Sequence, residues 1–320
     1  MDNLQLIGSG LTALILTLIA YKMLLPRFRA LSLNQSVSEY SLKEFQDKPI
    51  TPTLGGVVFV LIAIVVSMIF NLNALNDFSY WLVVLAFFGY AIIGFIDDIK
   101  IIKEGKNQGL KSLHKLLLQI VLAIVFYLIY RNHADPSIQL PFMNNPINLG
   151  IFYGLLVLFM FVGTSNAVNL TDGMDGLSAG TSIIALVPFI IFALKANQHP
   201  LAIFLCSLLG ALIGYLAYNK KPAQIMMGDV GSLSLGGMFA ASAMVLKIEL
   251  LLIIIGIVFV LETLSVIIQV SSVKLFKRKV FPFTPIHYSF TIKGVSEENT
   301  VLIFYVIGLL GAILALLIGG

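Results

Sequence analysis

The sequence predicts an all-α, polytopic integral membrane protein with about ten transmembrane helices. Of the 320 residues, 58% are hydrophobic and only 11% are charged, whereas a soluble domain carries about 25% charged residues. Apolar runs of about 20 residues, long enough to cross a bilayer as a helix, recur along the whole chain. Short alternating segments, which would indicate a membrane barrel, do not occur.

Ten apolar segments divide the chain, and no stretch between them indicates a soluble domain. They cover about residues 4–25, 53–70, 80–96, 115–130, 148–165, 177–194, 200–217, 231–246, 250–273 and 299–318. We therefore expect residues 1–320 to form a single integral membrane domain. Gly210 and Gly214 lie four residues apart, which favours close packing of two helices. The stretch 250–276 is longer than a bilayer requires, so we expect it to tilt, break or protrude.

The distribution of basic residues predicts the orientation. An even number of spans puts both termini on one side of the membrane. One set of alternate loops holds 16 of the 20 Lys and Arg residues, and the opposite set holds three. Because cytoplasmic loops carry the excess of positive charge, the rich set is expected to face the cytoplasm and both termini are expected to be extracytoplasmic.

Five aspartates lie at predicted cytoplasmic helix ends, beside Gly-rich turns: Asp97, Asp98, Asp172, Asp175 and Asp229. One isolated aspartate would be solvated or would cap a helix, and Asp175 and Asp229 are placed where a cap is plausible. Five on one face, among basic loops, instead indicate a magnesium and phosphate site. Mg²⁺ prefers oxygen ligands, and glycines and helix N-termini let the backbone approach a phosphate. We expect an active-site cleft on the cytoplasmic face.

Glu262 is different, because it lies within an apolar segment. A carboxylate there is costly and indicates a functional or helix-pairing role. Helical periodicity puts Glu262, Ser265 and Gln269 near one face of the helix. The sequence leaves open whether Glu262 forms a structural hydrogen bond or lines the site.

Seven motifs occur in an order and spacing that together resemble one family. They are "TPTLGG" (51–56), "GFIDD" (94–98), "NQGL" (107–110), "SNAVNLTDGMDGLSAG" (165–180), "NKKPAQIMMGDVGSLSLGG" (219–237), "ETLSVIIQV" (262–270) and "TPIHYSF" (284–290). Over essentially the whole chain they resemble the phospho-N-acetylmuramoyl-pentapeptide transferase family, MraY, within the polyprenyl-phosphate sugar-1-phosphate transferase superfamily. The resemblance implies ten spanning helices in the bacterial cytoplasmic membrane, with a cytoplasmic active site.

The resemblance also implies a reaction. Phospho-MurNAc-pentapeptide would move from UDP-MurNAc-pentapeptide to undecaprenyl phosphate with Mg²⁺ as cofactor, giving lipid I and UMP in the first membrane step of peptidoglycan synthesis. Catalysis of this kind is mostly positioning and cationic stabilisation of phosphate oxygens. The expected surroundings are the lipid bilayer and a second copy in a homodimer, with no nucleic-acid partner.

The motif match carries the family's functional residues onto this sequence. The catalytic set would be Asp97, Asp98, Asp229 and His287. The substrate-binding set would be Lys48, Thr53, Lys115, Asn166, Asn169, Asp172, Asp175, Asn219 and Gln269. Among them, Asp229 would bind the metal, Asp97 would act as base on the lipid phosphate, and Asp175 would lie near uracil.

One stretch departs from the family pattern. The family usually has three consecutive histidines in the last cytoplasmic loop, whereas this chain has His287, Tyr288 and Ser289. Tyr288 could stack or donate a hydrogen bond, and Ser289 could donate one. If all three histidines are needed for uridine-diphosphate contacts, the departure alters activity or substrate choice.

Three other functions remain open from the sequence. A sister transferase would move N-acetylglucosamine-1-phosphate, or another hexosamine phosphate, to the same lipid with the same aspartates and Mg²⁺. A homologue that binds without catalysis is favoured by the missing histidines and opposed by the five retained aspartates. A transporter or channel could use Glu262, but the other acids cluster at one face instead of the membrane midplane.

Overall fold

The computed structural model describes residues 3–32, 51–71, 76–104, 109–140, 143 and 145–319, and these are mostly helical. The helices are α1 (Asn3–Ser32), α2 (Gly55–Phe70), α3 (Phe78–Glu104), α4 (Ser112–Tyr130), α5 (Phe152–Thr171), α6 (Leu177–Lys195), α7 (His199–Asn219), α8 (Gly228–Val245), α9 (Leu251–Ile255), α10 (Ile257–Phe276), α11 (Ile286–Ile292) and α12 (Glu297–Gly319). Two short antiparallel strands, β1 (Ser137–Ile138) and β2 (Ile147–Asn148), lie between α4 and α5. The all-α prediction is confirmed.

The helices are those of a multi-pass membrane protein. Among the described residues, eight helices are long and apolar enough to cross a membrane: α1, α3, α4, α5, α6, α7, α10 and α12. Two more predicted segments are also helical, since α2 is apolar but has only 16 residues and α8 has 18. Many Leu, Ile and Val side chains of the outer helices are exposed at the protein surface. A bilayer around the bundle explains so much exposed apolar surface, which a soluble monomer rarely shows.

Helix α8 is the centre of the bundle, because 15 of its 18 residues are buried. It is rich in Gly, Ala and Ser, whose small side chains let neighbouring helices approach closely. Helices α2, α3 and α5 all pack against it. A Cβ added at Gly236 would lie only 2.3 Å from the Cα of Ser165 in α5. Since α8 begins beside Asp229, this packing fixes Asp229 where several helices meet.

Helices α1 and α7 show the close packing predicted from Gly210 and Gly214. A Cβ at Gly210 would lie 1.9 Å from the carbonyl oxygen of Gly10 in α1, and one at Gly214 would lie 2.9 Å from the Cβ of Thr17. These glycines therefore bring two backbones together, and the prediction is confirmed.

The long stretch after α8 is broken, as its length suggested. The chain interrupts the helix at Gly256, so the predicted segment 250–273 is two helices, α9 and α10. Helix α10 continues to Phe276 and buries Glu262, Ser265 and Gln269. The predicted common face is therefore confirmed.

The two ends of the bundle differ in composition. The C-terminal ends of α3 and α5 and the N-terminal ends of α4 and α8 lie at one end of the bundle. They carry most of the predicted site residues. The start of α12 is at this end too, since Glu297 accepts a hydrogen bond from the backbone of Asp175. Gly319, at the other end of α12, packs beside Leu251 and Phe192 at the opposite side.

A separate polar anchor holds the end of the bundle that is far from the site. The Nζ of Lys247 donates to the carbonyl oxygens of Asp135 (2.8 Å) and Ser137 (3.0 Å), which begin the β1–β2 hairpin. Tyr153 donates its hydroxyl to Glu249 Oε1 at 2.7 Å. Burial raises the pKa of the Glu249 carboxyl above its ordinary value.

The crossing of α3 and α8 generates a test of this packing. A Cβ at Gly94 would lie 2.1 Å from the carbonyl oxygen of Asp229, whereas nothing lies within 4 Å of a Cβ at Gly163 in α5. We expect Gly94→Ala to reduce the free energy of unfolding by roughly 1–3 kcal/mol through overpacking. Gly163→Ala, the matched control, should leave it unchanged or raise it by up to about 1 kcal/mol, because alanine favours helices.

Thermal unfolding of both variants in detergent, followed by circular dichroism, measures the difference. Equal unfolding midpoints for Gly94→Ala and Gly163→Ala would contradict the close approach of α3 and α8.

Candidate active site

Three carboxylates form the centre of the site. Asp97 and Asp98 lie near the end of α3, and Asp229 lies in the first turn of α8. One oxygen of each lies within 4.8 Å of the others, and Asp97 and Asp98 are each only 3% exposed. Like charges this close, away from water, repel one another unless a cation lies among them. The arrangement therefore suits a bound cation, and oxygen ligands suit a hard divalent one.

Asp98 holds the start of α8 in place. Its Oδ1 accepts a hydrogen bond from the backbone N–H of Asp229 (3.2 Å), and its Oδ2 accepts one from Val230 (3.0 Å). These are N–H groups of a first helical turn, which have no partner inside their own helix and favour a negative charge. Gly228, with φ of +67°, allows the approach, since a Cβ there would lie 2.5 Å from Asp98 Oδ2. The helix cap is thus supplied by α3.

Asp229 does not cap its own helix, although the sequence allowed that function. Its Oδ1 accepts a hydrogen bond from Asn169 at 2.9 Å, and its Oδ2 accepts a short one from Lys115. The Nζ of Lys115 also lies 3.2 Å from Asp97 Oδ1, which accepts the backbone N–H of Leu110 at 2.8 Å. Lys115 therefore lies between two of the three carboxylates and offsets part of their charge.

Asn166 faces a neighbouring helix. Its Nδ2 donates to Gln119 Oε1 at 3.0 Å, and Gln119 Nε2 lies 3.3 Å from Ser165 Oγ. Gln119 is almost completely buried, and sequence reasoning missed it. Its position four residues after Lys115 puts both side chains on one face of α4, and that spacing could have identified it.

The loop after α5 brings a fourth acid to the carboxylates. Burial raises the pKa of Asp172 well above its ordinary value, and the charges of Asp229, Asp98 and Asp175 raise it further. A backbone hydrogen bond from Gly228 opposes this shift. Asp172 Oδ1 is buried and has no hydrogen-bond partner among the residues that the structure describes. A cation or a donor from a ligand would satisfy it.

Asp175 and Asn219 join the same loop to the segment that precedes α8. Asp175 Oδ2 accepts the backbone N–H of Ala223 (3.0 Å), so Asp175 does not cap α6. Asn219 Oδ1 accepts the N–H of Gly176 (3.1 Å), and its Nδ2 donates to the carbonyl oxygen of Ile225 (2.9 Å). Both side chains therefore position loop backbone.

A pocket of about 250 Å³ opens beside Asp175. Lys221 lines it and forms a 3.3 Å ion pair with Glu297, whose Oε1 accepts the N–H of Asp175. Tyr305 closes one wall and donates to the carbonyl oxygen of Gly176 at 2.7 Å. Glu297 and Tyr305 were not predicted, because nothing in a polar turn and an apolar helix marks them before the fold joins them to this loop.

His287 and Glu262 meet in the interior. Both are fully buried, and His287 Nδ1 lies 3.1 Å from Glu262 Oε2. The adjacent Tyr288 donates its hydroxyl to the carbonyl oxygen of Gly173 at 3.0 Å, and burial raises the pKa of Tyr288 to about 12. The short helix α11 therefore contacts the loop that carries Asp172.

The remaining predicted residues have other surroundings. Gln269 Oε1 accepts the N–H groups of Val280 and Phe281, and its Nε2 donates to the Phe281 carbonyl at 3.0 Å, so its amide holds the loop after α10. Thr53 follows Pro52, whose carbonyl oxygen accepts a hydrogen bond from the backbone N–H of Met226. This contact places Thr53 close to the start of α8. The predicted residue Lys48 lies outside the described residues.

Comparison with known proteins shows the family of this chain. The sequence profile of glycosyl transferase family 4 matches residues 80–247, which include the three clustered carboxylates. A phospho-N-acetylmuramoyl-pentapeptide-transferase of Oceanobacillus iheyensis is 42% identical over 99% of each chain. Proteins of the same name from Halalkalibacterium halodurans and Bacillus thuringiensis are 45% and 46% identical, over 94% and 92% of each chain. The chain therefore belongs to glycosyl transferase family 4 and to the family of phospho-N-acetylmuramoyl-pentapeptide-transferases.

Proposed function

We propose that this chain transfers phospho-MurNAc-pentapeptide from UDP-MurNAc-pentapeptide to undecaprenyl phosphate in the bacterial cytoplasmic membrane, giving lipid I and UMP. The observation that carries the proposal is the cluster of Asp97, Asp98 and Asp229 beside Lys115, at one end of a multi-pass helical bundle. The names of relatives at 41–46% identity support the reaction class and the substrates. The lipid chain can stay in the bilayer while its phosphate meets this end of the bundle.

The described residues fit Mg²⁺ as the cofactor. Asp97, Asp98 and Asp229 each offer one oxygen. Burial, together with the charges of Asp229, Asp98 and Asp175, raises the pKa of Asp172, and a cation would offset those charges. Mg²⁺ commonly binds through one or two carboxylates together with substrate phosphates. When bound, it supplies positive charge to the phosphate oxygens.

Three side chains at the cluster have separate roles in the proposed reaction. Lys115, already between Asp97 and Asp229, offers an ammonium to a phosphate oxygen in exchange for a carboxylate. In direct attack by the lipid phosphate, Asp97 acts as a base on that phosphate. In a two-step route, a carboxylate of the cluster would instead displace UMP and form a covalent aspartyl intermediate, which the lipid phosphate would then attack. Asp98 keeps Asp229 in place through the first N–H groups of α8.

We assign the nucleotide to the side of the loop that carries Asp175. The pocket beside Asp175 and Gly176 supplies backbone groups and Lys221. Asn219 holds the Gly176 backbone of this pocket, and we assign Thr53 to the same substrate-binding set. His287 contacts the same loop from α11 at Gly173, and we assign it to the catalytic set through that loop. Lys48 completes the proposed substrate-binding set. Asn166 and Gln269 shape the cleft through their protein partners.

Release of UMP by the purified protein tests the reaction. The assay contains detergent, undecaprenyl phosphate, Mg²⁺ and either UDP-MurNAc-pentapeptide or UDP-N-acetylglucosamine. We expect UMP only with the pentapeptide nucleotide, and its loss on addition of EDTA. Release with UDP-N-acetylglucosamine instead would assign the chain to the sister hexosamine-1-phosphate transferases. No release with either nucleotide, from folded protein, would overturn the proposal.

Asp229→Asn tests the carboxylate cluster. The amide keeps the shape of the side chain but removes the charge, so we expect kcat to fall roughly 10²–10³-fold, the usual effect of removing one electrostatic group from a site. The unfolding midpoint should stay close to that of the unmodified protein. Glu249→Gln is the control, because Glu249 is also a carboxylate that accepts a hydrogen bond but lies at the far end of the bundle. Turnover by Asp229→Asn equal to that of the control would remove Asp229 from the site.

A further inference from the structure

Glu262 and His287 form a buried pair where α10 meets α11. Both side chains are 0% exposed, and the Nδ1–Oε2 distance of 3.1 Å is an ion-pair distance. Among the described residues, neither carboxylate oxygen of Glu262 and neither ring nitrogen of His287 has an aligned hydrogen-bond partner. Each is therefore the nearest polar partner of the other. A carboxylate within an apolar helix is costly, so this pairing requires an explanation.

The far edge of the His287 ring faces the loop between the two acids Asp172 and Asp175. A Cβ added at Gly173 would lie 2.5 Å from Nε2 and 2.8 Å from Cε1 of the ring. Only a residue without a side chain permits this approach. Tyr288 holds the same loop position, because its hydroxyl donates to the carbonyl oxygen of Gly173. Two side chains of helix α11 therefore contact the loop at the same residue, Gly173.

Glu262 therefore contacts the Nδ1 edge of the ring, and the loop contacts the opposite, Nε2 edge. A carboxylate next to one nitrogen of an imidazole keeps the proton on that nitrogen and fixes the ring plane. The other nitrogen of His287, Nε2, packs against Gly173. A ring held by Glu262 therefore fixes the position of the Asp172–Gly176 loop.

We propose that Glu262 is a positioning residue for the transfer reaction, and that it acts through His287 by holding the ring with Nδ1 protonated and Nε2 directed to the Asp172–Gly176 loop. The inference rests on the proposed function, because this loop carries Asp172 and Asp175, which the proposed function places beside the cation and the nucleotide. Glu262 itself touches no substrate. A purely structural pair would tie α10 to α11 without any effect of Glu262 on the state of the ring.

A double-mutant cycle separates the two possibilities. The variants are Glu262→Leu, Glu262→Gln, His287→Gln and the double variant of Glu262→Leu with His287→Gln, and Glu249→Gln is the control. We expect Glu262→Leu to lower kcat roughly 10- to 100-fold, the usual effect of losing a group that orients another, with a smaller change in KM. Glu262→Gln should lose less, because its amide oxygen can still accept the Nδ1 proton. In the His287→Gln background, Glu262→Leu should change kcat by less than about threefold.

A spectroscopic measurement keeps the inference testable even if no substrate is turned over. The chain has four histidines, so ¹⁵N labelling and the His287→Gln variant assign the ring nitrogens of His287. We expect a protonated Nδ1 in the unmodified protein, in Glu262→Gln and in Glu249→Gln, and its loss in Glu262→Leu.

Two results would overturn the inference. One is an unchanged nitrogen spectrum of His287 in folded Glu262→Leu. The other is an equal loss of kcat from Glu262→Leu with and without His287, which would show that the two residues act independently. Failure of the unmodified protein to release UMP would instead contradict the proposed function, and the spectrum would still decide the state of the ring.

Discussion

The site depends on one contact, between the carboxylate of Asp98 and the first backbone N–H groups of α8. This contact joins the helix that carries Asp97 to the helix that carries Asp229. It is possible only because Gly94 and Gly228 lack side chains where α3 and α8 meet. Without it, the first N–H groups of α8 would lack a partner at this junction, and no hydrogen bond from Asp98 would hold α8 next to the end of α3. The same interaction that stabilises the fold thus assembles the cluster of negative charge.

The loop between α5 and α6 connects that cluster to the pocket beside Asp175. Its Asp172 lies near the charges of Asp98 and Asp229, its Gly173 contacts α11, and its Gly176 is held by Asn219 and Tyr305. Five residues thus contact three different parts of the bundle. A shift in the loop would change both the charge near the carboxylates and the shape of that pocket. This coupling explains why a polar, glycine-rich stretch is retained between two apolar helices.

Much of this was predictable from the sequence, because hydropathy sets the helices of a membrane protein and charge marks its polar end. The ten segments, the buried face of α10 and the close approach of α1 and α7 follow from local patterns. The partners of individual side chains did not. Asp98 caps a helix 131 residues further along the chain, and Glu297 in a charged turn holds Asp175. Such contacts arise from tertiary packing, which leaves no period in the sequence.

The departure at Tyr288 and Ser289 is accommodated in the structure. Tyr288 donates to Gly173, and Ser289 Oγ donates to the carbonyl oxygen of Phe283 and lies 3.2 Å from its N–H. Both side chains therefore have specific partners, and the contact of His287 with Glu262 is present beside them. A buried hydroxyl without a partner would be costly, so these partners explain how Tyr and Ser fit at the two positions. The replacements thus keep α11 in contact with the loop that carries Asp172, which is the contact that the proposed reaction requires of this helix.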